Sequence, residues 1–183
     1  MKKGFTLIEL VIVIGILAIL AAVVVLVLNP AQLLAQARDS QRLSDLGSIK
    51  SAIALYLATA SSPTIGATAS CTATDCTADC AFSSAVVSSS TLVTGAGWVD
   101  VDLTGTTGGA ALSALPLDPT NSGSYYYAYD GEDTDKTFEL NCRLESERYR
   151  GMMISDGGDD NVCSTYTEAT CFYEVGTKPG LDF

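Results

Sequence analysis

Lys2-Lys3-Gly4-Phe5-Thr6-Leu7-Ile8-Glu9 opens the chain, and the run Leu10 to Leu28 follows it with no charged or polar side chain over 19 residues. As a helix that run is roughly 28 Å long at about 1.5 Å per residue, close to the hydrocarbon thickness of a bilayer. Lys2 and Lys3 precede it, which keeps the extreme N-terminus on the cytoplasmic side. Glu9 stands one residue inside the apolar entrance. A carboxylate there is costly unless something pairs with it, so it is a candidate functional residue. A secretory signal peptide has a shorter apolar core and a small-residue cleavage site after it. Here the apolar run is longer than such a core, so it reads as an anchor.

The order of basic leader, Gly4, Phe5, Thr6-Leu7-Ile8-Glu9 and unbroken apolar span resembles the N-terminal signature of type IV pilins and pseudopilins, the class III signal peptide. The resemblance is specific over residues 2 to about 28, looser over the next 30, and holds only in outline beyond. It implies cleavage after Gly4 by a prepilin peptidase and methylation of the new amine of Phe5. It also implies that Glu9, fifth in the mature chain, serves subunit assembly.

Beyond the anchor, the periodicity predicts that the helix runs on from Phe5 to about Thr59. Asn29-Pro30 interrupts it, since proline removes a backbone hydrogen bond and crowds the preceding turn; a kink is expected between Leu26 and Pro30. Leu46, Ile49, Ile53 and Tyr56 or Leu57 recur at steps of three and four and form one apolar stripe. Arg38, Arg42, Asp45 and Lys50 read as a wetter face, with Arg42 and Asp45 as an i,i+3 pair. Residues 58–98 are rich in Ala, Ser, Thr and Gly and read as a long surface segment tied down by disulfides; its hydroxyls could accept O-linked glycan, but a plain solvated loop is the stronger reading. Trp98 to Leu103 alternates apolar and polar like a half-buried strand. Leu112 to Pro119 reads as a short apolar turn or helix. Tyr125 to Tyr129 and Thr137 to Leu144 read as two strands about a turn at residues 130–135. Met152-Met153-Ile154 opens another strand, and Tyr173 to Gly176 is extended. Leu115-Pro116-Leu117-Asp118-Pro119 before a Tyr-rich strand, and Asp156-Gly157-Gly158 before Tyr173-Glu174-Val175-Gly176, are similar to C-terminal parts of pseudopilin-like pilins.

The expected fold is therefore α+β. A long N-terminal helix, transmembrane in its first half and kinked near Pro30, packs its second half on a small antiparallel sheet with disulfide-bearing loops. The expected divisions are a leader 1–4, a membrane and polymerisation helix 5–28, an amphipathic half 29–59 and a globular head 60–183.

Formal net charge is −11, and loss of Lys2 and Lys3 takes it to about −13. Such a chain repels phosphate backbones, so nucleic-acid binding through a basic patch is not expected. Six cysteines with no histidine point to an oxidising compartment and three disulfides. The candidates are Cys71, Cys76, Cys80, Cys142, Cys163 and Cys171. Cys163 and Cys171 suit a local loop; Cys71, Cys76 and Cys80 are an uneven trio, so one of them is expected to reach Cys142, while six cysteines allow 15 pairings among which the spacing does not choose. Zinc is disfavoured by the absence of histidine and of any Cys-x-x-Cys. Two acidic loops, Asp130, Glu132, Asp133 and Asp135, and Asp156, Asp159, Asp160 and Asn161, offer oxygen ligands for calcium. Neither has EF-hand spacing, and solvated turn carboxylates are the simpler reading. The resemblance adds that some pseudopilins carry calcium in a comparable loop. With no histidine, no Gly-x-Ser-x-Gly and no phosphate loop, no catalytic constellation stands out and an enzyme is not expected.

After cleavage, the cationic amine of Phe5 and the carboxylate of Glu9 can neutralise each other within a chain or between neighbours, and between neighbours the pairing sets axial register. The expected function is thus a type IV pilin that polymerises with itself into a surface filament for adhesion, twitching motility or DNA uptake. Its precursor waits in the cytoplasmic membrane, and the resemblance implies an inner-membrane platform and cytoplasmic ATPases as partners. A secretion-system pseudopilin and a non-polymerising membrane-anchored adhesin are the two alternatives.

Overall fold

The computed structural model describes residues 4–73, 76, 82, 85–166 and 170–177, with only the backbone at Leu26. The chain divides into two compact units, Met1–Ala35 and Gln36–Phe183. Helix α1 spans Leu7–Leu28 and helix α2 spans Pro30–Thr59. Between them Asn29 takes a left-handed conformation with φ 39°. Its carbonyl accepts the amides of Gln32 and Leu33, starting α2 at the proline, a favoured first helical residue. The helix is thus broken where expected. Every described side chain of α1 is exposed, as suits a segment whose solvent is lipid.

In the second unit a five-stranded sheet has the order β2-β1-β3-β4-β5, with β1 Ser70–Cys71, β2 Val86–Val87, β3 Tyr127–Glu132, β4 Thr137–Cys142 and β5 Tyr173–Gly176. All pairs are antiparallel except β1 with β2. One face carries Tyr127, Tyr129, Phe138, Leu140 and Cys142 against Leu46, Ile49, Ile53 and Tyr56 of α2 and the buried Trp98, Val101 and Leu103. The opposite face holds a smaller apolar group, Cys71, Ala73, Cys76, Phe82, Tyr126, Ala128 and Phe172. The α+β architecture, with helix on sheet, is as expected.

Several local expectations are corrected. Trp98 to Leu103 is no strand: Val99, Val101 and Leu103 are buried alternately, but their backbone finds scattered partners. The Trp98 amide reaches the Ser90 carbonyl, the Leu103 amide that of Val93, and the Asp100 carbonyl takes the Gly66 amide. One-sided packing produces the alternation without a ladder. Residues 150–154 form a 3-10 turn rather than a strand, because only Met153 needs to enter the core while Met152 and Ile154 stay outside. The hairpin turn falls at residues 133–136, with Lys136 at φ 57°, so Asp130 and Glu132 belong to β3. Leu112 to Pro119 has no regular helix; the Leu115 amide is held by the Thr91 carbonyl, and the Pro116 carbonyl accepts the indole N–H of Trp98.

Candidate functional site

The N-terminal end of α1 carries Gly4, Phe5 and Glu9, the residues expected to serve processing and assembly. Thr6 is extended (φ −81°, ψ 152°) and caps the helix. Its Oγ1 accepts the Glu9 amide at 3.3 Å; in return Glu9 Oε2 accepts the Thr6 amide at 2.9 Å and the Thr6 hydroxyl at 2.7 Å. This reciprocal capping box satisfies two amides that the first turn leaves without helical partners. It also keeps Gly4, Phe5 and Thr6 out of the helix, with Phe5 84% exposed. A Cβ added at Gly4 would meet nothing within 4 Å, and Gly4 has no positive φ. The fold therefore does not need glycine there. The role of Thr6 went unread in the sequence, although Thr6-x-x-Glu9 has capping-box spacing. Lys2 and Lys3 lie outside the described residues.

The second feature is a buried ionic node that ties α2 to the loops of the head. Arg42, expected on the wet face, is fully buried and meets three carboxylates: Asp118 through Nε at 2.6 Å and Nη2 at 3.0 Å, Asp39 at 2.9 Å and Glu145 at 2.6 Å. Arg38 holds Glu145 bidentately at 2.7 and 2.6 Å. Asp39 also accepts the backbone amides of Glu145 and Ser146. Burial alone would lower the Arg42 pKa, but Asp118, Glu145 and Asp39 together hold it raised. The same Arg38 and Arg42 contacts keep the Glu145 carboxyl below its usual range despite burial. The expected Arg42–Asp45 pair does not form; Asp45 accepts the Tyr127 hydroxyl at 2.8 Å instead. The signal was present: Ala35, Asp39 and Arg42 continue the three- and four-residue spacing of the apolar stripe toward the N-terminus.

The cysteines differ from expectation at one point. Cys163 bonds Cys171 and Cys71 bonds Cys76, whereas Cys142 is a buried free thiol. Cys142 projects from β4 onto the face against α2, while Cys71 and Cys76 belong to the opposite face. Side chains alternate across a strand, so the sheet itself separates them. Burial raises the Cys142 thiol well above its ordinary range. Cys80 lies outside the described residues.

The acidic loops are occupied with local bonds. Glu132 takes the amides of Thr134 and Asp135; Asp133 takes Lys136 Nζ and the Ile65 amide. Asp130 accepts the Gly131 amide, and burial lifts its carboxyl to about 6. Asp156 binds the Gly158 and Glu174 amides, and Glu174 the Asp160 amide. Among the described residues the Asp159 side chain takes no hydrogen bond, and the side-chain amide of Asn161 donates to the Gly158 carbonyl at 3.4 Å. Among the described residues no group of three or more metal-ligating side chains has the geometry to hold an ion. Glu174, 1% exposed, sits beside Glu139 on the face away from α2; burial, then its hydrogen bond with Glu139, pushes it up to about 9.

Residues 1–25 match the family model of the prokaryotic N-terminal methylation motif, the class III signal peptide of type IV pilins and pseudopilins. That motif, with the apolar helix it opens, supports a type IV pilin or pseudopilin-like protein, made as a membrane-anchored precursor. It points to a structural protein and implies processing by prepilin peptidase. No curated protein and no solved structure matches the chain.

Proposed function

We propose that this chain is a type IV pilin, cut between Gly4 and Phe5, methylated at Phe5, and polymerised through α1 into a surface filament. The reading is carried by one observation: a methylation motif opens a 22-residue helix whose described side chains are all exposed and whose one charged residue is Glu9. In lipid that surface needs no partner; out of lipid it must be covered by other copies of itself. The carboxylate then meets the amine that cleavage creates on a neighbour, and the pair sets the axial register of the bundle. The assembly platform, the cytoplasmic ATPases and the final surface location follow from the same resemblance. The hydroxyl-rich, disulfide-bearing head favours a filament exposed outside the cell over a short secretion pseudopilus.

Glu9→Ala tests this, because the two roles of the helix respond oppositely. As a plain anchor the variant inserts at least as well as the parent, having lost a costly charge. As a filament subunit it leaves a neighbour's amine buried without its partner. The expected result is parent-like membrane level and leader cleavage with few or no sheared filaments. Parent-like filament yield would move the reading to a non-polymerising anchor.

A further inference from the structure

The geometry points to a saccharide-binding pocket at the edge of the head sheet, which takes one neutral sugar ring through the Asp100 carboxylate and the hydroxyls of Thr68 and Ser88. This goes beyond the filament reading and does not rest on it. The cavity, about 270 Å³, opens where β1 and β2 meet the loop of residues 88–97. Small-molecule sites span about 300–1,000 Å³, so this one has room for a single ring. Its floor is fixed by hydrogen bonds. The Trp98 amide donates to the Ser90 carbonyl at 3.0 Å, the Trp98 carbonyl accepts the Ser70 hydroxyl, and the indole N–H donates to the Pro116 carbonyl at 2.9 Å. Ser90 Oγ donates to the Ala96 carbonyl at 2.9 Å. The wall formed by Gly95, Ala96 and Gly97 carries a single methyl group; Gly95 has φ 78°, and a Cβ at Gly97 would strike the Leu92 carbonyl.

Asp100 is half-buried and is the one charged residue among the described residues that line the cavity. Its carbonyl accepts the Gly66 amide at 2.7 Å, and its carboxylate lies where a Cβ on Gly66 would strike it. Among the described residues that carboxylate accepts no hydrogen bond, and the hydroxyls of Thr68 and Ser88 and the amides of Ala96 and Gly97 make none. The pocket thus offers donors and acceptors together, with one negative charge. A carboxylate can accept two O–H donors at once, the pattern that adjacent hydroxyls of a sugar ring present, while serine and threonine hydroxyls both donate and accept. An anion would face Asp100 with no side-chain cation to offset it. An ammonium ion would find one carboxylate but no aromatic face, because Trp98 is wholly buried. Val86, 54% exposed, and the Ala96 methyl supply apolar contact for the C–H face of a ring. Floor and wall are held before the ligand arrives, which lowers the ordering cost of binding.

The test titrates the full-length, isotope-labelled protein, dispersed in a detergent without a sugar headgroup, with methyl β-galactoside, methyl α-glucoside and methyl α-mannoside, and separately with ethylammonium. Amide chemical shifts are the readout. At least one glycoside is expected to give saturable shifts at residues 68, 88 and 95–97, with a Kd of about 1–10 mM. Asp100→Asn keeps the shape of the side chain and removes the charge, and is expected to weaken binding about tenfold or more. Thr68→Val with Ser88→Ala is expected to weaken it roughly three- to tenfold while leaving Asp100 in place. Absence of saturation by all three glycosides up to about 50 mM overturns the proposal. So does parent-like affinity in Asp100→Asn, or ethylammonium saturating the same amides at lower concentration, which assigns the pocket to cations. Should Asp100→Asn disturb the rest of the spectrum, the double variant decides, and parent-like affinity there overturns the proposal. Binding is read on dispersed subunits, so its failure leaves the filament reading untouched, and filaments from Glu9→Ala would leave the pocket untouched.

Discussion

Arg42 illustrates how a single side chain is worth more when removed than when counted as a bond. Its guanidinium has no exposed surface, and two of its three carboxylates, Asp39 and Asp118, are equally enclosed. Replacing such a pair wholesale by apolar residues is often tolerated, but deleting one partner leaves the others charged and dry. Arg42→Ala is therefore expected to cost roughly 3–5 kcal/mol, and Arg38→Ala, whose side chain is 36% exposed, much less. Thermal melts of the full chain in detergent check the ranking; equal losses would mean the node is hydrated. At the other end of the chain Gly4 shows the reverse case, a residue the fold does not require. Intact-mass analysis of the membrane form is expected to give a chain beginning at Phe5 with one added methyl; a chain beginning at Met1 or after Leu28 would refute the processing reading.

At the scale of elements, the sheet has one apolar face and one that is partly acidic. Asp130 and Glu139 stand directly opposite each other on β3 and β4, and Glu174 follows on β5 across from Asn141. Glu174 is held protonated in the fold by burial and by Glu139, while Gly158 lies so close that a Cβ there would strike its carboxylate. Its folded pKa, about 9, exceeds its unfolded value near 4.5, so its favourable contribution is complete below the lower value and is lost as pH rises toward the upper. Glu174→Gln keeps a hydrogen-bond donor toward Glu139 and removes the titration. Its melting temperature relative to the parent is expected to rise steadily from about pH 5 to about pH 9. A difference that is flat with pH would show that Glu174 is ionised throughout.

Taken whole, the molecule joins a segment that lipid must cover to a head that carries its own core and its own crosslinks. The two bridges enclose short loops, with sequence separations of 5 and 8, so each is expected to contribute about 2–3 kcal/mol, at the lower end for disulfides. Reduction is expected to lower the melting temperature of the head while leaving membrane insertion unchanged. Cys142 gives an internal control. Its peptide is expected to take up an alkylating reagent only in denaturant, because the thiol is buried and its pKa raised. Labelling in the native protein would place Cys142 at an open surface.

What could be read from the chain alone was whatever depends on neighbours in sequence. The 19 apolar residues determine an anchor, the Lys2 to Glu9 signature its processing class, Asn29-Pro30 the helix break, and the spacing of Leu46, Ile49, Ile53 and Tyr56 the docking stripe. What required the tertiary structure depends on residues far apart. Whether Arg42 faces water or carboxylates was settled by Asp118 and Glu145, respectively 76 and 103 residues away. Whether Val99, Val101 and Leu103 form a strand depended on a partner of matching length, which residues 90–94 do not supply. Whether Cys142 pairs was decided by which face of β4 it occupies relative to Cys71. Periodicity reports that a side chain is buried; only the packed chain determines what it is buried against, because desolvation and pairing are properties of the partners brought together by the fold.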